Sequence, residues 1–318
     1  MDDRLGRDTW SDSRHGNVRG APRADSQLRR RGQVRGGQDV TERLPIGVTI
    51  RSIRAEPGWW LESAKRLDAA GYQGLWSWDH FVGQGDQTVP VVECWTMLSM
   101  AAAATDRVTV GPFVINVMNR HPAVLARMAS TLQIASGGRL VLGMGIGGAP
   151  REHAAYGIEF PEAKERVERL TEAVAVIRAL WTGGPVTRPS PYYPLEAAHA
   201  FPVPIPPPPI IIGGETPSGA RLAARIGDGW NTFENNFEAN LPLYLEALEA
   251  EGRRREDQRV YAGFQGDWLG EADIRESPWV REPRVAWAAW REKGADAVIV
   301  LARTTSDVDA LVDAVERW

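Results

Sequence analysis

Three places in the chain combine residue types that do chemistry. Asp79 and His80 stand side by side in "SWDHF" (77–81). A carboxylate next to an imidazole can orient a ring that gains and loses protons near neutral pH. Gly143, Gly145, Gly147 and Gly148 put four glycines into six residues of "RLVLGMGIGGAPREH" (139–153). Gly213 and Gly214 end "IIIGG" (210–214), just ahead of "ETPSG". Glycines let backbone approach a ligand closely and leave N–H groups to hold an anion. A strand, then glycines, then a helix start is also a layout that favours phosphate. Ordinary structural explanations exist for each: glycines relieve crowding at a tight turn, and a histidine at a strand end can be structural.

Gly143, Gly145 and Gly148 satisfy G-x-G-x-x-G, the nominal dinucleotide fingerprint. That motif needs a helix opening on the third glycine, and an acidic residue about 20 positions on at the end of a second strand. Here Pro150 interrupts the glycines, and Glu162, Glu165 and Glu168 fall on helical spacing where the second strand should be. Three strand-like runs also precede the motif. The glycines therefore read as the end of a fourth strand in some other fold.

The elements around these residues repeat. Strand-like runs occur at 46–50, 74–78, 108–115, 139–146, 210–214, 229–233, 260–264 and 295–302. Each is followed by an amphipathic stretch at helical spacing, the longest being "FPEAKERVERLTEAVAVIRALW" (160–181). Pro242 is expected in the first turns of the helix that starts near Phe237, or as its divider. Eight strand–helix units in about 250 residues predict a (β/α)8 barrel, with a doubly wound open sheet as the alternative. The barrel domain is expected over 44–318, with a Pro-rich loop or insertion at about 185–209. Residues 1–43 are rich in Arg, Asp, Gly and Ser, and predict a disordered extension.

Composition narrows the function. The chain of 318 residues is 43 % apolar and 25 % charged, which fits a soluble globular protein. A net charge of −4 gives no basic excess for nucleic acid. No apolar run reaches the roughly 20 residues a membrane span needs. Cys94 is the single cysteine, so neither an internal disulfide nor a thiolate metal cluster forms within one chain, and a reducing cytoplasm is expected. Of five histidines only His80 clearly sits at a strand end, too few to build a barrel metal hydrolase.

"SWDHF", "NRHPAVLARMASTLQIASGGRLVLGMGIGG", "REHAAYGI", "ERVERLTEAVAVIRALW" and "PIIIGGETPSGARLAARIGDGWN" resemble the luciferase-like monooxygenase superfamily. That superfamily includes bacterial luciferase, flavin monooxygenases and enzymes using coenzyme F420, a deazaflavin. The resemblance runs from about residue 45 to the C-terminus. It implies a (β/α)8 barrel, commonly a homodimer, with the flavin or deazaflavin in its mouth. Asp79 and His80 would then lie beside the ring, with His80 near its reactive edge. Phe113 and Val114 match the place of a bulge with a non-proline cis peptide, and Asn116 follows as a hydrogen-bonding residue. Gly143, Gly145, Gly147, Gly148, Gly213 and Gly214 would supply backbone to the ribityl phosphate. Some F420-dependent dehydrogenases carry a catalytic acid after the fourth strand; here Gly148 occupies that position, with Glu152 nearby.

The favoured expectation is hydride transfer to or from a small organic substrate with coenzyme F420. The alternatives are an FMN-dependent monooxygenase supplied by a separate reductase, and a non-catalytic flavin-binding barrel, which the vacant acid position would permit. Trp76, Trp78 and Trp95 are candidates to line an apolar pocket among the 13 tryptophans.

Overall fold

The computed structural model describes residues 43–83, 85–264 and 273–318. Apart from Arg43, the expected N-terminal extension lies outside the described residues. β1 (Ile46–Ile50), β2 (Gly74–Ser77), β3 (Thr109–Pro112), β4 (Ile115–Asn116) and β5 (Leu142–Gly145) alternate with α1 (Pro57–Ala70), α2 (Cys94–Ala104) and α3 (Pro122–Ala135). α4 (Pro150–Tyr156) and α5 (Ala163–Leu180) follow, then β6 (Val186–Arg188), β7 (Leu195–Ala198), β8 (Ile210–Gly213) and α6 (Pro217–Ile226). β9 (Gly229–Phe233), α7 (Glu234–Ala250), β10 (Arg259–Phe264), α8 (Pro278–Arg281), α9 (Pro283–Glu292), β11 (Ala297–Ala302) and α10 (Thr305–Ala314) complete the described chain.

Nine strands form one parallel sheet in the order β3-β2-β1-β11-β10-β9-β8-β5-β4. β3 and β4 are two halves of one barrel strand, broken at the cis Phe113–Val114 peptide. β3 reaches the start of β5, since Val141 N–H donates to Val110 O at 3.0 Å. β4 pairs further along β5, with Ile115 beside Met144. The sheet thus closes on itself, and the architecture is a (β/α)8 barrel with eight strand positions.

Two hydrophobic layers follow from strand alternation. Outward residues such as Val48, Ile50 and Leu75 pack under helices, where α1 contributes Trp60, Ala64 and Leu67. Inward residues make a separate cluster of Trp76, Phe113, Val141, Ile211, Tyr261, Ala297 and Ile299. Trp76 and Phe113 stack at 4.3 Å, and Tyr261 meets both edge-on. The indole fits because its neighbours lack side chains: a Cβ at Gly47 or Gly111 would run into Trp76. Gly47→Ala should therefore cost about 1–3 kcal/mol by overpacking. In a Trp76→Phe background the same change should cost less, which a double-mutant cycle by urea unfolding would measure.

Local departures from the sequence expectation have physical causes. The Pro-rich stretch, expected as a loop or insertion, carries a short antiparallel hairpin of β6 with β7. Its prolines sit before, between and after the strands, where no ladder N–H is needed. α7 begins at Glu234 and runs through Pro242 without dividing. Its stripe of Phe237, Asn240, Tyr244 and Leu248 is buried, and that packing outweighs the roughly 3 kcal/mol of an interior proline. The single helix expected at 160–181 is preceded by a separate helix of about two turns, α4, that ends at Gly157 in the left-handed conformation.

Candidate active site

The carboxyl ends of the barrel strands surround a cavity of about 620 Å³, within the range of small-molecule and cofactor sites. Asp79, His80, Phe113, Val114, Asn116, Gly147, Gly148, Gly213 and Gly214 all line it. Gly143 and Gly145 do not. A Cβ at Gly143 would strike Pro112 O and the Phe113 ring, and one at Gly145 would meet Val114. These two glycines let neighbouring strands approach behind the cavity wall. Gly147 has φ +75°, and a side chain there would collide with the Asn116 amide. A Cβ at Gly148 would meet nothing within 4 Å. Among the tryptophans, Trp78 lines the cavity, Trp76 lies in the barrel interior beneath it, and Trp95 belongs to the outer layer.

Asp79 follows β2 at the edge of the cavity, but its oxygens are engaged. It accepts from Asn116 N–H at 3.0 Å, from Asn119 Nδ2 at 3.0 Å, and from Arg120 Nη1 at 2.9 and 2.8 Å. Its side chain is 1 % exposed and that of Arg120 13 %. Arg120 also reaches Glu93, the residue that caps α2. Burial alone would lower the Arg120 pKa, but Asp79 and Glu93 together hold it above its ordinary value. The network pins the end of β4 to the end of β2. Asn116 extends it: Nδ2 donates to His153 Nε2 at 2.9 Å, and His153 Nδ1 donates to Ala149 O at 2.9 Å. That direction fixes the fully buried His153 ring and aims the Asn116 amide.

His80 faces a different carboxylate from its sequence neighbour. Its Nδ1 donates to Glu152 Oε2 at 3.2 Å across a separation of 72 residues. Glu152 lies in the first turn of α4 and its side chain is 4 % exposed, whereas that of His80 is 26 % exposed. Burial alone would raise the Glu152 pKa; the His80 bond and charge, with the N–H groups of Phe81 and Val82, bring it below its ordinary value. With Nδ1 so engaged, Nε2 is the nitrogen left to meet a ligand.

The linkage has a testable sign. A carboxylate whose folded pKa is depressed stabilises the fold above its unfolded value, about 4.3 for glutamate, and loses that contribution as pH falls through the folded value. The stability difference between wild type and Glu152→Gln should shrink as pH falls below about 4.3. Urea unfolding at a series of pH values measures it; an undiminished difference in acid would contradict the assignment.

α6 also opens at the cavity. Thr216 caps it by accepting from Gly219 N–H, and Thr216, Ser218 and Gly219 all line the cavity. Gly214 packs against the backbone of Gly219, so neither tolerates a Cβ. Glu215 sits nearby, but its Oε2 accepts from Thr232 Oγ1, Phe233 N–H and Asn236 Nδ2 at 2.9, 3.1 and 2.9 Å. Among the described residues no arginine or lysine lines the cavity. An anion here would be met by backbone N–H groups, hydroxyls and a helix amino terminus. No group of three or more His, Cys, Asp or Glu among the described residues is placed to hold a metal ion. No helix among them is long and apolar enough to cross a membrane.

Arg120, His153 and Glu215 were missed by sequence reasoning. "REH" (151–153) was the one local signal, since Glu152 and His153 stand together just after the glycines.

The barrel and this mouth are those of a known family: the chain belongs to the luciferase-like monooxygenases, whose family model matches residues 41–266. It is similar to an F420-dependent glucose-6-phosphate dehydrogenase of Microbacterium testaceum, 37 % identical over 189 residues, covering 58 % of this chain and 54 % of that one. It is also similar to an F420-dependent hydroxymycolic acid dehydrogenase of Mycobacterium tuberculosis, 31 % identical over 211 residues, covering 65 % and 58 %. The chain thus spans little more than half the length of these two relatives. Among solved structures, an F420-dependent secondary alcohol dehydrogenase superposes with a TM-score of 0.74 at 21 % identity, covering 87 % of this chain and 98 % of that one. At that identity the likeness speaks for the fold.

Proposed function

We propose that this protein is an oxidoreductase that uses coenzyme F420 to transfer hydride to or from a small organic substrate. The observation that carries the reading is that His80, bonded to the buried Glu152, lines one cavity together with Gly147, Gly148, Gly213, Gly214 and the first turn of α6. The relatives named for coenzyme F420 support the choice of cofactor. The cavity fits such a group: it is large enough, its phosphate end is cationless but rich in backbone donors, and Gly148 leaves open space where a side chain would intrude.

The deazaflavin would supply the two-electron chemistry. Phe113 and Val114 would support its ring, and Asn116, held by His153, would orient it. Gly147, Gly148, Gly213, Gly214 and the first turn of α6 would hold its ribityl phosphate, with Gly143 and Gly145 shaping the wall behind. Asp79 acts on Arg120 and Asn116 and so positions the site. His80 holds or takes up the accompanying proton at Nε2, and the buried Glu152 carboxylate stabilises the imidazolium. No side chain at Gly148 is needed for that proton. We place the protein in the cytoplasm as a homodimer, on the single cysteine and the family resemblance.

Turnover without oxygen tests the reading. Incubated anaerobically with F420 and a panel of secondary alcohols, hydroxy acids and sugar phosphates, the protein should change the redox state of the deazaflavin. Activity seen with FMN and strictly dependent on O2 would replace the proposal by a monooxygenase.

A further inference from the structure

One polar side chain inside the barrel has no place in that scheme. Side chains alternate along β9. Trp230 points outward and stacks on Phe237 and Tyr244. Gly229, Asn231 and Phe233 therefore point inward, and a Cβ at Gly229 would meet Ile211 of the inner cluster. Asn231 is flanked by Gly213 of β8 and Tyr261 of β10.

Asn231 is 8 % exposed, and its Oδ1 is buried without a hydrogen-bond partner among the described residues. Nearly all buried polar atoms in folded proteins are paired, so an orphan asks for an explanation. Trp76 Nε1 is also unpaired, but Trp76 lines neither cavity. Asn231 lines two. One is the main cavity, and the other is a recess of about 20 Å³. Trp78, Phe113 and Phe233 border both, so Asn231 stands where the recess meets the main cavity.

A water needs roughly 10–15 Å³ by this measure, so the recess takes a group of one or two heavy atoms. Beside Asn231, Thr49 and the Trp78 indole, its walls are Phe113, Phe233, Phe264, Ile299, Leu301 and the backbone of Gly263. No charged side chain among the described residues lines it. An ionised group brought there would lose its water and meet no counter-charge. A neutral hydroxyl or carbonyl would keep a partner, because Oδ1 accepts from the first and Nδ2 donates to the second.

We propose that Asn231 sets substrate choice: its carboxamide binds one hydroxyl or carbonyl of a neutral, largely apolar substrate, and the recess beside it refuses a charged group. The body of the substrate lies in the main cavity, against the rings of Trp78, Phe113 and Phe233. The word "substrate" rests on the function proposed above; the recess and its preference for neutral ligands do not.

Equilibrium dialysis of the full-length protein without F420 tests it, with radiolabelled benzyl alcohol, toluene and benzoate as probes. The three share a ring for the aromatic walls and differ in the group offered to Asn231. Wild type should hold benzyl alcohol more tightly than toluene. Asn231→Leu should weaken benzyl alcohol about tenfold and leave toluene and benzoate within about threefold. Asn231→Ser should weaken the alcohol less than Asn231→Ala, which removes every hydrogen-bonding atom and also serves if leucine does not fit. An equal loss for all three probes would make Asn231 structural and overturn the inference. So would benzyl alcohol binding that no variant changes, or that does not exceed toluene binding in wild type. Benzoate binding that falls together with the alcohol would show that the recess takes anions, against the neutral class. Asn231-dependent binding of the alcohol by a protein that ignores F420 would sink the proposed function and leave this recess standing.

Discussion

Asp79→Ala should cost about 3–5 kcal/mol of folding stability, the range for breaking one side of a buried ion pair. The carboxylate is 1 % exposed and satisfies three donors, Asn116 N–H, Asn119 Nδ2 and Arg120 Nη1, the last shared between its two oxygens. Without it Arg120, itself 13 % exposed, keeps only Glu93. The loss corresponds to a melting temperature roughly 6–20 °C lower in a domain of this size. Asp79→Asn should be milder, since one acceptor oxygen survives. Because Asp79 also holds the Asn116 backbone, residual activity should fall further than the folded fraction. A loss below about 1 kcal/mol in Asp79→Ala would show that Glu93 alone balances Arg120.

His80→Ala should lower kcat/KM by about 10²–10⁴-fold, the usual contribution of a general acid or base. The affinity for F420 should change little, because phosphate and ring contacts come from other residues. The variant also leaves the Glu152 carboxylate buried without its imidazole partner. That should cost about 1–3 kcal/mol. His80→Ala/Glu152→Gln should recover the stability and not the turnover. The cycle separates the two roles of the pair: one measurement follows folding, the other chemistry. Equal turnover in wild type and His80→Ala would remove the histidine from the mechanism.

The barrel was legible because its signal is periodic. Runs such as "IGVTI" and "AVIVLA" are buried along their whole length, and amphipathic stretches with clear ends separate them. Where local signal and tertiary packing disagree, packing decides. The run 108–115 reads as one strand, yet it divides at Phe113–Val114: the first half meets Leu140 and Val141 just ahead of β5, and the second pairs with β5 itself. Pro242 reads as lying in the first turns of a helix or as dividing it, yet α7 starts at Glu234 and its buried face carries the helix through the proline.

The site was legible as far as residue type and strand position go. Asp79, His80, Asn116 and the glycines of strand ends were visible as residues at the mouth. Their partners were not. Asp79 stands next to His80, but its charge goes to Arg120, while His80 turns to a glutamate 72 residues away. No local period encodes a contact of that separation. The glycines likewise divide by function only in three dimensions: Gly147 and Gly148 line the cavity, whereas Gly143 and Gly145 pack the wall behind it. The open position at Gly148 looked like a missing acid. Glu152, four residues on in the first turn of α4, supplies a buried carboxylate that bonds His80 at the cavity.

On the proposed function, this cavity takes a deazaflavin in preference to a flavin. Fluorescence titration of the purified protein with F420 and with FMN, each oxidised and reduced, tests it most directly. The structure and its relatives lead us to expect micromolar or tighter binding of F420, and binding of FMN that is at least tenfold weaker. Micromolar binding of FMN with none of F420 would contradict it.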